Sequence, residues 1–271
     1  MKHRNPQAEQ MADESMLRNL AAQAKAIWPQ EAPLFDRYAL PEQAHIADIG
    51  CGSGEITARL ADRYREAQVR GVDILASSVA YASQRYAALA PRVSFQQGDA
   101  FELPFEDGLF DLVVCRHMTQ AVPEPHKVLA ELERVLKSGG WLHVLSEDYG
   151  MIHVPAGRLD PDRLWNEAVI RYAHSTGTDA RVGRYTWSMM HALGLEALQV
   201  DYVIVDTVRV ERETFAEIMR AWRDGYTGVL AEHSALTREE VRALFDYIIE
   251  TILDPRQYAA WHIPIVGGRK P

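Results

Sequence analysis

The residues best placed to do chemistry lie in the first half of the chain. Asp48-Ile49-Gly50-Cys51-Gly52-Ser53-Gly54 follows an apolar run, HIADIG (45–50), and leads into EITARLADRYR (55–65), which has helical spacing at Ile56, Leu60 and Tyr64. Alternating glycines let the backbone turn tightly and approach a ligand with no Cβ in the way. The helix that follows aims its free N–H groups at whatever is bound. Asp73 closes the next apolar run, 19 residues after Gly54, where a carboxylate can accept hydrogen bonds from both hydroxyls of a ribose. Asp99 ends VSFQQGD (93–99); it can accept a bond from an exocyclic purine amine while Ala100 donates its backbone N–H to the ring. Read alone, Asp99 also suits a helix N-cap.

A second set of reactive types falls just past later strand-like runs. His117 follows FDLVVCR (110–116) and is the candidate general base or substrate contact. Glu147 near the end of WLHVLSED (141–148) and Tyr149 just past it stand at the same expected rim, and with His153, Trp187 and Trp222 they are the candidate substrate contacts. Trp165, Tyr172, Tyr185 and Tyr226 add to an aromatic second half suited to a flat, partly apolar molecule, and Trp28 and Phe35 are candidates to close over a nucleotide. His143 lies inside a strand and reads as a packed or exposed residue. No spacing of His, Cys, Asp or Glu matches a zinc site, so no metal is expected, and G-x-S-x-G is absent.

Between 45 and 146 these groups are carried by a strand–helix rhythm. Strands are expected at 45–50, 69–74, 93–99, 110–116 and 141–148, with helices at 55–65, 78–89 and 125–137, as in a doubly wound parallel sheet. Ahead of it, 8–28 reads as a helix with apolar Met11, Met16, Leu17, Leu20, Ala24 and Ile27, after which Pro29, Pro33 and Pro41 are expected to break the chain. Beyond it, helices are expected at 161–175, 181–194, 211–230 and 237–253, and strands at 195–210 and 259–271. Helices 161–175, 211–230 and 237–253, with the N-terminal helix, should pack over the ligand edge of the sheet as a lid, since no piece is large enough to bury its own core.

At residues 45–146 the sequence resembles the class I S-adenosylmethionine (SAM)-dependent methyltransferases of the small-molecule type. The resemblance rests on ADIGCGSGEIT, GVDI, GDAFELPFEDGLFDLVVCRHM and ELERVLKSGGWLHV. It implies an α/β, Rossmann-like, seven-stranded mostly parallel sheet of order 3-2-1-4-5-7-6, with an antiparallel last strand and helices on both faces. It divides one domain (1–271) into an N-terminal helical cap (1–44), a SAM-binding core (45–148) and lid helices (149–180 and 211–255). It implies SAM as cofactor and S-adenosylhomocysteine as product. Gly50, Gly52 and Gly54 would line the methionine part, Asp48 would support the loop, and Asp73 would hold the ribose. Asp99 and Ala100 would hold adenine, Arg116 would offer its backbone carbonyl to the methionine amine, and His117 would stand near the methyl group. Cys51, Ile74 and Gly98 complete the cofactor set. The implied reaction is methyl transfer to O, N or C of a small, possibly aromatic acceptor. The alternative is the same scaffold repurposed for another reaction or for binding only.

Competing classes fit less well. The nicotinamide fingerprint G-x-G-x-x-G would need Gly or Ala at position 55, which is Glu55, and a Ser…Tyr-x-x-x-Lys set is missing. A formal net charge of −9 disfavours a nucleic-acid partner, and the Asn-Pro-Pro-Tyr of nucleobase methylases is replaced by CRHMTQ. No apolar run approaches the ~18 residues that span a bilayer, and no leader-like start is evident, so a cytoplasmic monomer or homodimer without membrane partners is expected. Cys51 and Cys115, the two cysteines, read as small buried hydrophobes on adjoining strands.

Overall fold

Strand β1 (His45–Ile49) is apolar almost throughout because both its faces are covered. It pairs in parallel with β2 (Gln68–Asp73) on one side and β4 (Phe110–Arg116) on the other. β3 (Val93–Gln97) adds to β2, and β5 (Leu136–Leu145) adds to β4 with Arg116 opposite Leu145. The last strand, β8 (Ala260–Arg269), runs antiparallel to β5, and β7 (Glu196–Asp206) runs antiparallel to β8. The seven main strands therefore lie in the order 3-2-1-4-5-8-7, the topology the resemblance implies. One element is additional: β6 (Ile152–His153), two residues long, pairs with Trp261 and Ala260 where β5 has left that edge of β8, which makes the sheet eight-stranded.

The computed structural model describes residues 5–7 and 14–271. Met11 and the start of the expected first helix lie outside them. Helix α1 (Glu14–Glu31) passes through Pro29 and ends two residues later, so the expected break at Pro29 is displaced into a 3₁₀ stretch at Ala32–Tyr38. Proline near a helix end costs little when the helix stops within a turn. Helix α2 (Glu55–Arg63) turns Ile56, Leu60 and Ala61 inward and carries Glu55 and Arg63 at the ends its dipole favours. Helices α3 (Ala76–Arg85) and α4 (Pro125–Val135) complete the crossovers. Val135 ends α4, and Gly139 and Gly140 lie within β5 instead of terminating the helix.

The segments beyond β6 divide more finely than expected. The 161–175 stretch is a π-helical segment (Leu164–Val169) followed by α5 (Ile170–Ser175), and 181–194 is a 3₁₀ turn (Val182–Tyr185) followed by α6 (Thr186–Ala192). Helix α7 (Arg212–Glu232) and helix α8 (Arg238–Leu253) pack against each other, α8 opening on a capping box between Thr237 and Glu240. A large apolar cluster joins these helices, α1 and the sheet through fully buried Trp261, whose ring stands 5.2 Å from that of Trp222. Two further clusters cover the faces of the sheet. Trp28 and Phe35 belong to the packing under α1, Phe35 stacked on the His143 ring at 4.3 Å, instead of closing over a nucleotide. Cys51 and Cys115 are free and buried, and burial raises both thiol pKa values. No helix among the described residues is long and apolar enough to cross a membrane.

Candidate active site

Two cavities meet at the carboxyl ends of β1, β4 and β5. The smaller lies beside the glycine loop. Gly50, Gly52 and Gly54 all have positive φ (78°, 49° and 76°), a backbone path that side chains with Cβ resist. The loop is tied to the tip of β2: the N–H groups of Gly50 and Cys51 both donate to the Val72 carbonyl, at 2.8 and 3.0 Å. Gly52 N–H donates to Asp73 Oδ2 at 2.8 Å, and Leu75 N–H to Asp73 Oδ1 at 2.9 Å. Asp73 therefore shapes the loop before any ligand arrives, and its carboxylate keeps lone pairs for further donors. Burial raises its pKa, opposed by those two backbone donors. Gly54 serves packing, since a Cβ there would stand 2.8 Å from Phe95 and 2.9 Å from Ala82.

This cavity measures about 30 Å³ and is lined by Asp48, Gly50, Cys51, Arg116 and His117, with Leu20 and Gln23 of α1 as its cover. Asp48 accepts from the Thr57 hydroxyl at 2.6 Å, and burial pushes its pKa up to about 6. Arg116 does more than lend backbone. Its Nε donates to Glu31 Oε1 at 2.9 Å, while Nη2 is buried without a partner. Glu31 also meets His143 Nε2 at 3.0 Å. Burial alone would raise the Glu31 pKa, but Arg116 and His143 outweigh it and hold the carboxylate ionised. Ile74, Gly98, Asp99 and Ala100 are half-buried at the ends of β2 and β3, outside both cavities, and Asp99 Oδ1 accepts from Phe101 N–H at 2.9 Å.

The larger cavity measures about 90 Å³. Glu147, Tyr149 and Trp222 line it, as do Trp165, Tyr172, Tyr226 and Phe245. Tyr149 and Trp165 are parallel, 5.9 Å apart, and Trp222 stands edge-on to both, at 5.4 and 6.0 Å. Burial raises the pKa values of Tyr149 and Tyr226, so their hydroxyls stay protonated. Three expected members are elsewhere. Trp187 is 42% exposed and stacks on His191, Tyr185 is exposed, and His153 is exposed on β6 with its ring against His262. Aromatic type alone does not tell the inner face of a lid from its outer face.

At the junction stands a His–Glu pair. His117 adopts φ +53°, a left-handed conformation costly for a non-glycine residue and concentrated at functional positions. Its N–H donates to the Leu145 carbonyl at 3.0 Å and its carbonyl accepts from Gln120 Nε2 at 2.8 Å, which hold the strained turn. Its Nδ1 is hydrogen-bonded to Glu147 Oε1. A carboxylate accepts, so Nδ1 donates, and the neutral ring carries its lone pair on Nε2, which is buried without a partner. Glu147 is held in turn, its carbonyl accepting from Gly183 N–H at 2.8 Å. His117 lines both cavities, as do Leu20 and Gln23. The sequence had marked His117 and Glu147 separately; their pairing follows from β4 and β5 being parallel neighbours that end together.

Residues 47–144 match the family described as "Methyltransferase domain". That stretch, which runs from β1 into β5, is thereby a methyltransferase domain of the class I SAM-dependent type. Through this methyltransferase core the chain is 41% identical over 118 residues to trans-aconitate 2-methyltransferase of Deinococcus radiodurans, a stretch covering 42% of this chain and 43% of that protein. It is 36% identical over 138 residues to 27-O-demethylrifamycin SV methyltransferase of Amycolatopsis mediterranei, covering 48% and 50%. The matched stretch thus spans half the length or less of these curated relatives. Among solved structures, the methyltransferase fold superposes on phosphoethanolamine N-methyltransferase 2 of Haemonchus contortus, in complex with phosphomonomethylethanolamine and S-adenosylhomocysteine, with a TM-score of 0.65 and 20% identity, over 100% of this chain and 61% of that one. It also superposes on the [4+2]-cyclase SpnF with a TM-score of 0.55 and 22% identity, over 91% and 84%.

Proposed function

We propose that this chain is a SAM-dependent methyltransferase that acts on a protonated nucleophile of a small molecule, with His117 as the base. The residues fit the cofactor. Arg116 Nη2 is a buried donor without a partner beside the loop, and Asp48 is a buried acid a few residues away on β1, a matched pair for the carboxylate and ammonium of an amino acid. Gly50 and Cys51 would flank that end, Asp73 would add the ribose hydroxyls to its two backbone donors, and the half-buried turn at Gly98, Asp99 and Ala100, with Ile74, would take the adenine. Leu20 leans over the loop so closely that a Cβ on Gly52 would meet it at 2.8 Å. Leu20 of α1 thereby forms part of the cover over the cofactor's end of the site.

SAM, when bound, supplies a methyl group on a sulfonium and leaves as the neutral thioether S-adenosylhomocysteine. The protein's work is then alignment, exclusion of water and removal of one proton. His117 Nε2 accepts the proton of the nucleophile, and Glu147 stabilises the imidazolium through Nδ1. The aromatic lid keeps water from the junction. The observation that carries this reading is that a single histidine, oriented by a buried carboxylate, lines both the glycine-loop cavity and the aromatic one.

Calorimetric titration with S-adenosylhomocysteine, with NADH as control, tests the cofactor; micromolar binding of the former alone is expected. Absence of binding by protein shown by mass spectrometry to carry no ligand overturns the reading. Binding without transfer of label from methyl-labelled SAM to any acceptor would favour the repurposed scaffold, which the fold also hosts.

A further inference from the structure

The larger cavity has two properties that bear on the acceptor, and the inference drawn from them rests on the methyltransferase reading. The first is its charge. Among the described lining residues there is no lysine or arginine; the ionisable side chains are Glu147, His117 and tyrosines held protonated by burial. The Arg116 guanidinium lines the loop cavity instead, its Nε donating to Glu31 and its Nη2 taken, on the reading above, by the carboxylate of the cofactor. A carboxylate or phosphate entering here would be desolvated beside Glu147 with no lysine or arginine of the lining to offset it. The second is its pattern of unmet hydrogen bonds. Asn19 Oδ1, Gln23 Oε1, Gln120 Oε1 and Glu147 Oε2 are buried without partners, and all four residues line the cavity. The Gln120 assignment is fixed, because its Nε2 donates to the His117 carbonyl. Each such atom is costly while unpaired, because it has given up water without gaining a partner. Four acceptors around one aromatic space ask for a ligand rich in donors.

We infer that the acceptor is an uncharged, ring-bearing molecule with two or more hydroxyl groups, and that a hydroxyl oxygen takes the methyl group. The apolar walls bury the ring. The orphaned oxygens receive hydroxyl hydrogens. One hydroxyl lies against His117, gives its proton to Nε2 and forms the new O–CH3 bond as the S–CH3 bond breaks. The cavity, about 90 Å³, is smaller than the roughly 150 Å³ that holds a benzene ring, so even a one-ring acceptor enters only as the wall gives. Larger frameworks enter only with movement of α1, whose Met16, Asn19, Leu20 and Gln23 form one wall.

Three catechols of one shape and three charges test this: 4-ethylcatechol (neutral), 3,4-dihydroxyphenylacetate (anion) and dopamine (cation). Each is titrated calorimetrically into the full chain, with and without saturating S-adenosylhomocysteine. The expected result is that 4-ethylcatechol binds at least tenfold more tightly than the anion and no more weakly than the cation. Asn19→Leu, which touches the aromatic cavity and not the loop cavity, should weaken 4-ethylcatechol three- to tenfold and leave S-adenosylhomocysteine within twofold. The inference is overturned if the anion binds as well as the neutral compound, if the cation binds tenfold better, or if none of the three binds. Because S-adenosylhomocysteine is measured in the same series, loss of its binding separates failure of the cofactor reading from failure of the acceptor class.

Discussion

The two cavities are built on opposite plans. Within the glycine loop the polar groups answer one another: Asp73 takes the N–H groups of Gly52 and Leu75, Asp48 takes the Thr57 hydroxyl, and Val72 takes two loop amides, which leaves Arg116 Nη2 as the unpaired donor beside it. Around the aromatic cavity they do not, and oxygens on Asn19, Gln23, Gln120 and Glu147 stay buried and unpaired. A loop satisfied from within keeps its shape whether or not a ligand is present, so one loop serves a common cofactor on many scaffolds. A cavity with unmet acceptors gains most from a partner that supplies the missing donors. Preorganisation sits at one end of the site and selectivity at the other, with His117 between them.

Breaking the bridge should have the largest effect. His117→Asn removes the base yet keeps a residue that tolerates the left-handed backbone. It should lower the rate of methyl transfer by about 10²–10⁴-fold, the usual worth of a positioned base. S-adenosylhomocysteine affinity should change by less than threefold. Rates measured with labelled SAM beside calorimetry decide it, and full turnover by the variant would remove His117 from the chemistry. Glu147→Gln should cost roughly ten- to a hundredfold in rate, since it leaves the ring in place and takes away the charge that stabilises the imidazolium. A loss confined to KM would make Glu147 a binding residue only.

The loop end should respond next. Asp73→Ala removes the acceptor for two backbone amides and, on the proposed reading, for two ribose hydroxyls. Charge-assisted bonds of this kind are each worth about 1.5–3 kcal/mol. S-adenosylhomocysteine affinity should fall tenfold or more, while 4-ethylcatechol, whose cavity Asp73 does not line, should bind within twofold of the parent. Equal losses for both ligands would mean that the two ends are not separable.

The same contrast explains what could be read from the sequence. The loop, the strand–helix succession and the ends of β2 and β3 were legible because each depends on short-range signals: alternating glycines, an acid closing an apolar run, a strand–helix alternation; the strand order, a long-range property, came from the family resemblance. The aromatic cavity was half legible. Glu147 and Tyr149 were placed at the rim by their position at the end of a strand and line the cavity, as does Trp222, named by aromatic type; Trp187, named by the same type, and His153 lie outside it. The helix that walls the cavity was read for its apolar stripe, so Asn19 and Gln23 passed unnoticed. Only packing reveals that polar residues on a buried face lack partners. The Arg116–Glu31 pair joins residues 85 apart and has no local signature.

The mildest test is one of pH. Burial raises Asp48 to about 6 from an ordinary carboxylate value of 3.8. The folded chain therefore prefers the protonated acid more strongly than the unfolded chain does. The contribution of Asp48 to stability is fully present below pH 4 and is lost as pH rises through 6, a change of ~3 kcal/mol for a shift of this size. Binding of an amino acid's ammonium has the opposite sign, since it favours the carboxylate. S-adenosylhomocysteine should accordingly bind three- to tenfold more tightly at pH 7 than at pH 5, and Asp48→Asn should flatten that slope while raising the midpoint of thermal unfolding at pH 7. If the slope survives the substitution unchanged, the ammonium is held elsewhere, and Asp48 serves only to brace the loop through Thr57.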